Sequence, residues 1–132
     1  MSELGAARHR ARERALEILY EADMKGRSVA EVLNALPLAP EPYTREIVLS
    51  AEAYRERTHE LISRFSADWP LERIAVVDRL IVTLAVGELH VIDPPPRAVV
   101  LDEAVELAKT YSTEGSGGFV NGLLSAITES MT

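Results

Sequence analysis

The chain has 132 residues, of which 47 % are hydrophobic and 27 % charged, and its formal net charge is −7. This length and composition predict one domain, spanning 1–132, with its own aliphatic core. The absence of cysteine excludes a disulfide framework and a thiolate metal site and suits the cytoplasm, where we expect the protein to act. Charged residues interrupt the most apolar segment, so no membrane span is expected.

The first predicted helix runs from Arg8 to Lys25 after a frayed tail at 1–6, and Gly26 ends it. Its start carries an unusual basic cluster for an acidic protein: Arg8, His9, Arg10, Arg12 and Arg14. Guanidinium groups bind phosphates through forked, charge-assisted hydrogen bonds, so this stripe favours RNA binding. The alternative is a solvated helix end that only maintains solubility. Four arginine–phosphate contacts would give RNA only modest affinity, and the salt slope, which is the change in log binding constant with log salt concentration, would be roughly −3. A second surface or a partner protein is therefore expected to strengthen binding.

Two further helices are predicted before the middle of the chain. Ser28 and Glu31 form a capping box that opens a short helix to about Leu36. Prolines then break the chain, and a single long helix is predicted over 43–65, with Tyr54 among its inward residues.

The helix predicted over 71–91 is the most apolar and should be central to the fold. Its apolar face extends to Ile92, and Thr83 falls on the opposite, polar strip. Glu88 lies in the middle of the apolar face, so we expect a backbone amide or an arginine to pair with it. Contact with a protein partner is the alternative role for Glu88.

The last two helices are predicted over 98–111 and 118–130, with a glycine-rich turn at 113–118 between them. That turn either helps to bind an anion at the N-terminus of the last helix or only connects the two helices. Phe119 either stacks on a base or joins the core. No alternating strand pattern is found, so the fold class is all-α.

No constellation of residues points to catalysis, a metal or a cofactor. The three histidines lack metal-ligand spacing, and Ser63 stands where a zinc-protease helix starting at His59 needs its second histidine. The glycines at 115–118 do not join a strand to a helix, which excludes a dinucleotide loop. We therefore expect a binding protein and not an enzyme.

Three segments in chain order give the sequence a family resemblance. They are Arg10-Ala11-Arg12-Glu13 with Ala15-Leu16 and Leu19-Tyr20, then Val77-Asp78-Arg79 with Gly87-Glu88-Leu89, and finally Asp102-Glu103-Ala104-Val105-Glu106-Leu107-Ala108-Lys109 with Phe119-Val120-Asn121-Gly122-Leu123-Leu124. Together they resemble the NusB family of transcription antitermination factors. The resemblance implies two small helical bundles packed across each other. It also implies binding to boxA, a short single-stranded RNA signal of ribosomal RNA transcripts, together with the NusE ribosomal protein, in an RNA polymerase complex that suppresses premature termination.

The resemblance also assigns candidate site residues. For RNA these are Arg8, His9, Arg10, Arg12, Tyr20, Phe119 and Asn121, and Arg14 extends the basic stripe. Asp78, Arg79 and Glu88 are candidates for binding the protein partner or stabilising the fold. Gly115 and Gly118 stand near positions where family members often carry charges, which lowers the electrostatic contribution of that turn.

Two alternatives remain open. One is a homodimeric helical interaction protein that uses the basic stripe for self-association. The other is the isolated NusB-like domain of an RNA methyltransferase, which would need a methyl-donor domain that this sequence does not contain.

Overall fold

A computed structural model describes residues 2–66 and 68–131 of the chain. This part folds into seven α-helices and a 3₁₀ turn, with no strand, which confirms the all-α prediction. The helices are α1 (Glu3–Lys25), α2 (Val29–Ala35), α3 (Pro42–Ala53), α4 (Arg55–Phe65), α5 (Val76–Leu89), α6 (Arg97–Tyr111) and α7 (Ser116–Ser130), and the 3₁₀ turn is Leu71–Arg73. None of these helices combines the length and the apolar character that crossing a bilayer requires.

The first helix begins earlier than the sequence predicts. Ser2 caps α1, since its hydroxyl accepts a hydrogen bond from the backbone N–H of Gly5 at 2.9 Å. The expected frayed tail is therefore wrong for residues 3–6, and Met1 lies outside the described residues. Gly26 ends α1 as predicted, with a φ of +62° that a side chain would disfavour.

The single helix predicted over 43–65 is two helices, α3 and α4, which meet at Tyr54. Neither glycine nor proline marks this break, so the sequence carries no local signal for it. Tyr54 is also not an inward residue, because its ring stacks on that of His90 at 4.0 Å and remains 38 % exposed. This contact follows from the packing of the two helices against α5.

The central helix α5 organises the fold. It packs against α1, α3, α4, α6 and α7, and every residue from 80 to 88 is buried. The first three helices group on one side of α5, and α4, α6 and α7 on the other, in agreement with the expected two-bundle arrangement. Thr83 is buried because α5 is covered on all sides, whereas Ile92 is 98 % exposed because α5 ends before it.

Helices α3 and α5 approach each other closely at Gly87. A Cβ atom on this glycine would lie 2.5 Å from the backbone nitrogen of Ala51 in α3. Beside it, the Ser50 hydroxyl donates a 2.6 Å hydrogen bond to the Gly87 carbonyl. The close contact between α3 and α5 therefore depends on residue 87 being glycine, which has no side chain.

Candidate functional site

Three of the four arginines in the basic stripe remain at the surface of α1. Arg10 is exposed and forms no ion pair with another described residue. Arg14 is exposed one turn later and lies 3.9 Å from the Glu17 carboxylate. The Arg8 guanidinium lies over the Tyr43 ring, 3.7 Å from its centroid, in a cation–π contact. These three side chains present positive charge along the first half of α1.

Arg12 and Glu88 do not lie at the surface. They are 3 % and 1 % exposed, and the Arg12 guanidinium donates to both Glu88 carboxylate oxygens over 2.7–3.0 Å. This confirms that an arginine pairs with Glu88. Burial takes Arg12 away from the RNA-facing surface, and it favours stabilisation of the fold over partner binding for Glu88, because neither charge is accessible in this arrangement.

The buried pair belongs to a network that joins four helices. The Tyr43 hydroxyl of α3 donates to Glu88, and Glu103 of α6 lies 3.6 Å from the Arg12 guanidinium. Burial, and then the hydrogen bond to Glu88, raise the pKa of Tyr43. Burial by itself would lower the pKa of Arg12. The hydrogen bond with Glu88 and the charges of Glu88 and Glu103 outweigh that effect, so the net result is a raised pKa. The network holds α1 in place and sets the position of the exposed arginines.

Acidic side chains surround the same part of α1. The Nδ1 atom of His9 lies 2.8 Å from the Glu103 carboxylate, and its Nε2 atom lies 3.7 Å from that of Glu13. Tyr111, the last residue of α6, donates a 2.5 Å hydrogen bond to Glu13. The basic stripe is therefore flanked by carboxylates that offset part of its charge.

Asp78 anchors the turn that precedes Phe119. Its buried carboxylate accepts hydrogen bonds from the hydroxyls of Ser112 at 2.5 Å and Ser116 at 3.0 Å. Gly115 supports this turn with a φ of +88°. Of the two roles expected for Asp78, its burial and its hydrogen bonds favour stabilisation of the fold over partner binding.

The remaining candidates lie on three different helices, α1, α7 and α5. Tyr20 is 45 % exposed. It lies two turns after Glu13 on the same side of α1, and Glu13 contacts Tyr111 at the end of α6. Phe119 is partly buried, and Asn121 is exposed. Arg79 is partly buried and donates to Asp23 at 3.1 Å.

Sequence reasoning missed the residues around Phe119. A cleft of about 440 Å³ brings Phe119 together with Trp69, which is 55 % exposed, and with Arg73. The only feature of the sequence that could have indicated this cleft is Trp69, a tryptophan that stands beside Pro70 in a polar connection. The roles of Tyr43 and Glu103 had no sequence signal, because their partners lie far away along the chain.

The family model of the NusB family matches residues 9–129, which is most of the chain. The chain belongs to the NusB family. Two relatives, the transcription antitermination proteins NusB of Streptomyces griseus and Streptomyces coelicolor, are both 45 % identical to it. The alignments cover 90 % of both chains for the first and 94 % of both for the second.

Solved NusB structures share the fold. The chain is 32 % identical to T. maritima NusB, with a TM-score of 0.81 over 92 % of this chain and 90 % of that one. A structure of the antitermination factors NusB and NusE in complex with double-stranded RNA gives a TM-score of 0.77 at 28 % identity, covering 93 % of this chain and 96 % of that one. NusB proteins are transcription antitermination factors and not enzymes, as expected from the sequence.

The anchoring role of Asp78 in this NusB family member can be measured. The Asp78→Ala variant should lose about 1–3 kcal/mol of unfolding free energy, because two hydroxyls lose their acceptor. Hydrogen exchange should quicken across 113–119. Asp102→Ala removes an exposed carboxylate from α6 and should change stability by less than about 0.5 kcal/mol. Equal effects of the two variants would contradict the anchoring role.

Proposed function

We propose that this chain is a transcription antitermination factor that binds boxA RNA of ribosomal RNA transcripts together with the NusE ribosomal protein. The joint complex acts with RNA polymerase in the cytoplasm and suppresses premature termination. The observation that carries the proposal is that this NusB family member presents Arg8, Arg10 and Arg14 at the surface of α1.

The exposed arginines supply the electrostatic part of the RNA site. Their guanidinium groups bind backbone phosphates, and His9 lies among them. Single-stranded RNA also offers unstacked bases, which bind to aromatic side chains. Tyr20 on α1 and Phe119 at the start of α7 supply such rings, and Asn121 can hydrogen-bond to a base edge.

The charge balance explains why a protein partner is needed. Three phosphate contacts on a single strand correspond to a salt slope of only roughly −2. The carboxylates of Glu13, Glu17 and Glu103 lower the attraction further. A second RNA-binding protein would add contacts to the same RNA, and the related structure of NusB and NusE in complex with double-stranded RNA supports joint binding of RNA by the two proteins. Arg79 remains a candidate for the partner surface, since part of its side chain is accessible.

Removing two exposed arginines should weaken RNA binding. We expect the Arg10→Ala, Arg14→Ala double variant to lose about tenfold or more in boxA affinity in the presence of NusE, with the salt slope reduced in magnitude by about 1.4. Fluorescence anisotropy at several salt concentrations measures both. The Arg57→Ala, Arg64→Ala variant is the matched control, because it removes the same charge from the exposed side of α4.

Sequence specificity needs a separate comparison. With NusE present, boxA RNA should bind more tightly than a scrambled RNA of equal length and composition. Equal affinities would refute boxA recognition, and equal losses in the two double variants would refute the α1 site. Homodimerisation stays a prediction of the sequence, which gel filtration at several concentrations tests.

A further inference from the structure

A charged cleft lies at the opposite end of α1 from the exposed arginines. It has a volume of about 410 Å³ and is formed where the end of α1 and the start of α2 meet α3, α4 and α5. Its charged lining residues are Arg27, Arg55, Arg79, Asp23 and Glu52. Asp23 follows Arg10 by thirteen positions along α1, which is about 20 Å of helix. The cleft is therefore separate from the RNA site proposed above.

The cleft has more positive than negative charge. Its three arginines face two carboxylates, although the whole chain has a formal charge of −7. Asp23 already pairs with Arg79 at 3.1 Å. Arg27 and Arg55 are exposed and form no ion pair with a described residue. Two guanidinium groups at the cleft are thus available for an anion.

His59 supplies a further polar group. This residue lines the cleft, and its Nε2 atom is buried without a hydrogen-bond partner among the described residues. Burial, followed by the charges of Arg79 and Arg55, lowers the pKa of His59, which places the ring in the positive field of these arginines. A buried polar atom without a partner is rare in folded proteins and is commonly satisfied by a ligand or water.

We propose that this cleft binds a phosphate group. Arg27 and Arg55 would contact its oxygens, and a rotation of the His59 ring would bring Nε2, which is closed to solvent in the unliganded cleft, within reach as a further donor. A phosphate accepts hydrogen bonds from several directions, which suits donors that come from the α1–α2 junction and from α4. The cleft volume also leaves room for an ester group, so the phosphate is either free or part of an RNA backbone.

Titration with inorganic phosphate at constant ionic strength tests the site. NMR should show saturable shifts of the His59 ring and of backbone amides at 26–28 and 55–59. Arg55→Gln should weaken this binding about tenfold, since one charge-assisted interaction is lost. Arg57→Gln, two residues away on α4 and outside the cleft lining, should leave the affinity unchanged within about twofold.

The same experiment can overturn the proposal. Shifts that chloride reproduces, shifts that do not saturate, or equal losses in the Arg55 and Arg57 variants would each refute a phosphate site. Single-stranded RNA distinguishes the two phosphate sources. If RNA shifts the same signals and displaces inorganic phosphate, the backbone occupies the cleft. If RNA leaves them unchanged while phosphate binds, the ligand is a free phosphate.

Discussion

Replacing Arg12 with alanine should lower the free energy of unfolding by about 3–5 kcal/mol, because it leaves the buried Glu88 carboxylate without its cationic partner. Glu88→Ala should lower the free energy of unfolding by a similar amount, because the Arg12 charge then stays buried without its anionic partner. Chemical denaturation monitored by circular dichroism measures both. Arg10→Ala is the matched control from the same helix, and its effect should stay below about 0.5 kcal/mol because Arg10 is exposed.

The double variant Arg12→Met, Glu88→Leu separates pairing from packing. Replacing a buried ion pair with apolar side chains of similar size is often neutral or stabilising, so this variant should recover part of the stability that each alanine variant loses, less the cost of leaving the Tyr43 hydroxyl without its acceptor. An Arg12→Ala loss as small as that of Arg10→Ala would show that the pair does not hold α1 to α5. RNA affinity of the well-folded double variant then reports whether Arg12 contributes anything beyond positioning the exposed arginines.

Introducing a methyl group at Gly87 should destabilise the protein by about 3 kcal/mol. The new Cβ of Gly87→Ala would lie 2.5 Å from the backbone nitrogen and 2.6 Å from the Cα of Ala51, and no change of rotamer can relieve a clash with backbone. The helices α3 and α5 would have to separate, which would also strain the hydrogen bond from Ser50 to the Gly87 carbonyl. Thermal and chemical denaturation measure the loss.

Gly122→Ala is the matched control for this effect. Gly122 also lies within a helix, but a Cβ there would meet no other atom within 4 Å. Alanine should therefore stabilise α7 by about 0.5–1 kcal/mol, because it lowers the backbone entropy of the unfolded chain. If both variants shift stability in the same direction, the close approach at Gly87 does not limit the packing of α3 on α5.

The fold class and most helices follow from local patterns in the sequence. The periodic apolar residues of α1 predict its buried side, and the capping box at Ser28 and Glu31 is present as expected. The start of α1 and the break at Tyr54 could not be placed, because helix ends depend on caps and on packing that apolar spacing does not describe.

The basic stripe shows the limit of charge patterns for site prediction. Helical spacing puts Arg8 and Arg12 on one side of α1, and the pattern treats them as equivalent. In the structure Arg8 covers the Tyr43 ring near the surface, whereas Arg12 reaches the interior. The burial of Glu88 was visible in the sequence as a carboxylate on an apolar face, but its partner lies 76 positions away.

Sequence alone determined that this chain is an all-helical member of the NusB family with a basic first helix, because these properties reside in local periodicity, composition and short motifs. Only the tertiary structure decided which charges are accessible. It buries Arg12 with Glu88 in an ion pair and Asp78 against two serine hydroxyls, and it leaves Arg10 and Arg14 exposed. The physical reason is that accessibility depends on which helices cover a side chain, and α5, covered from all sides, brings together residues that are distant in the chain.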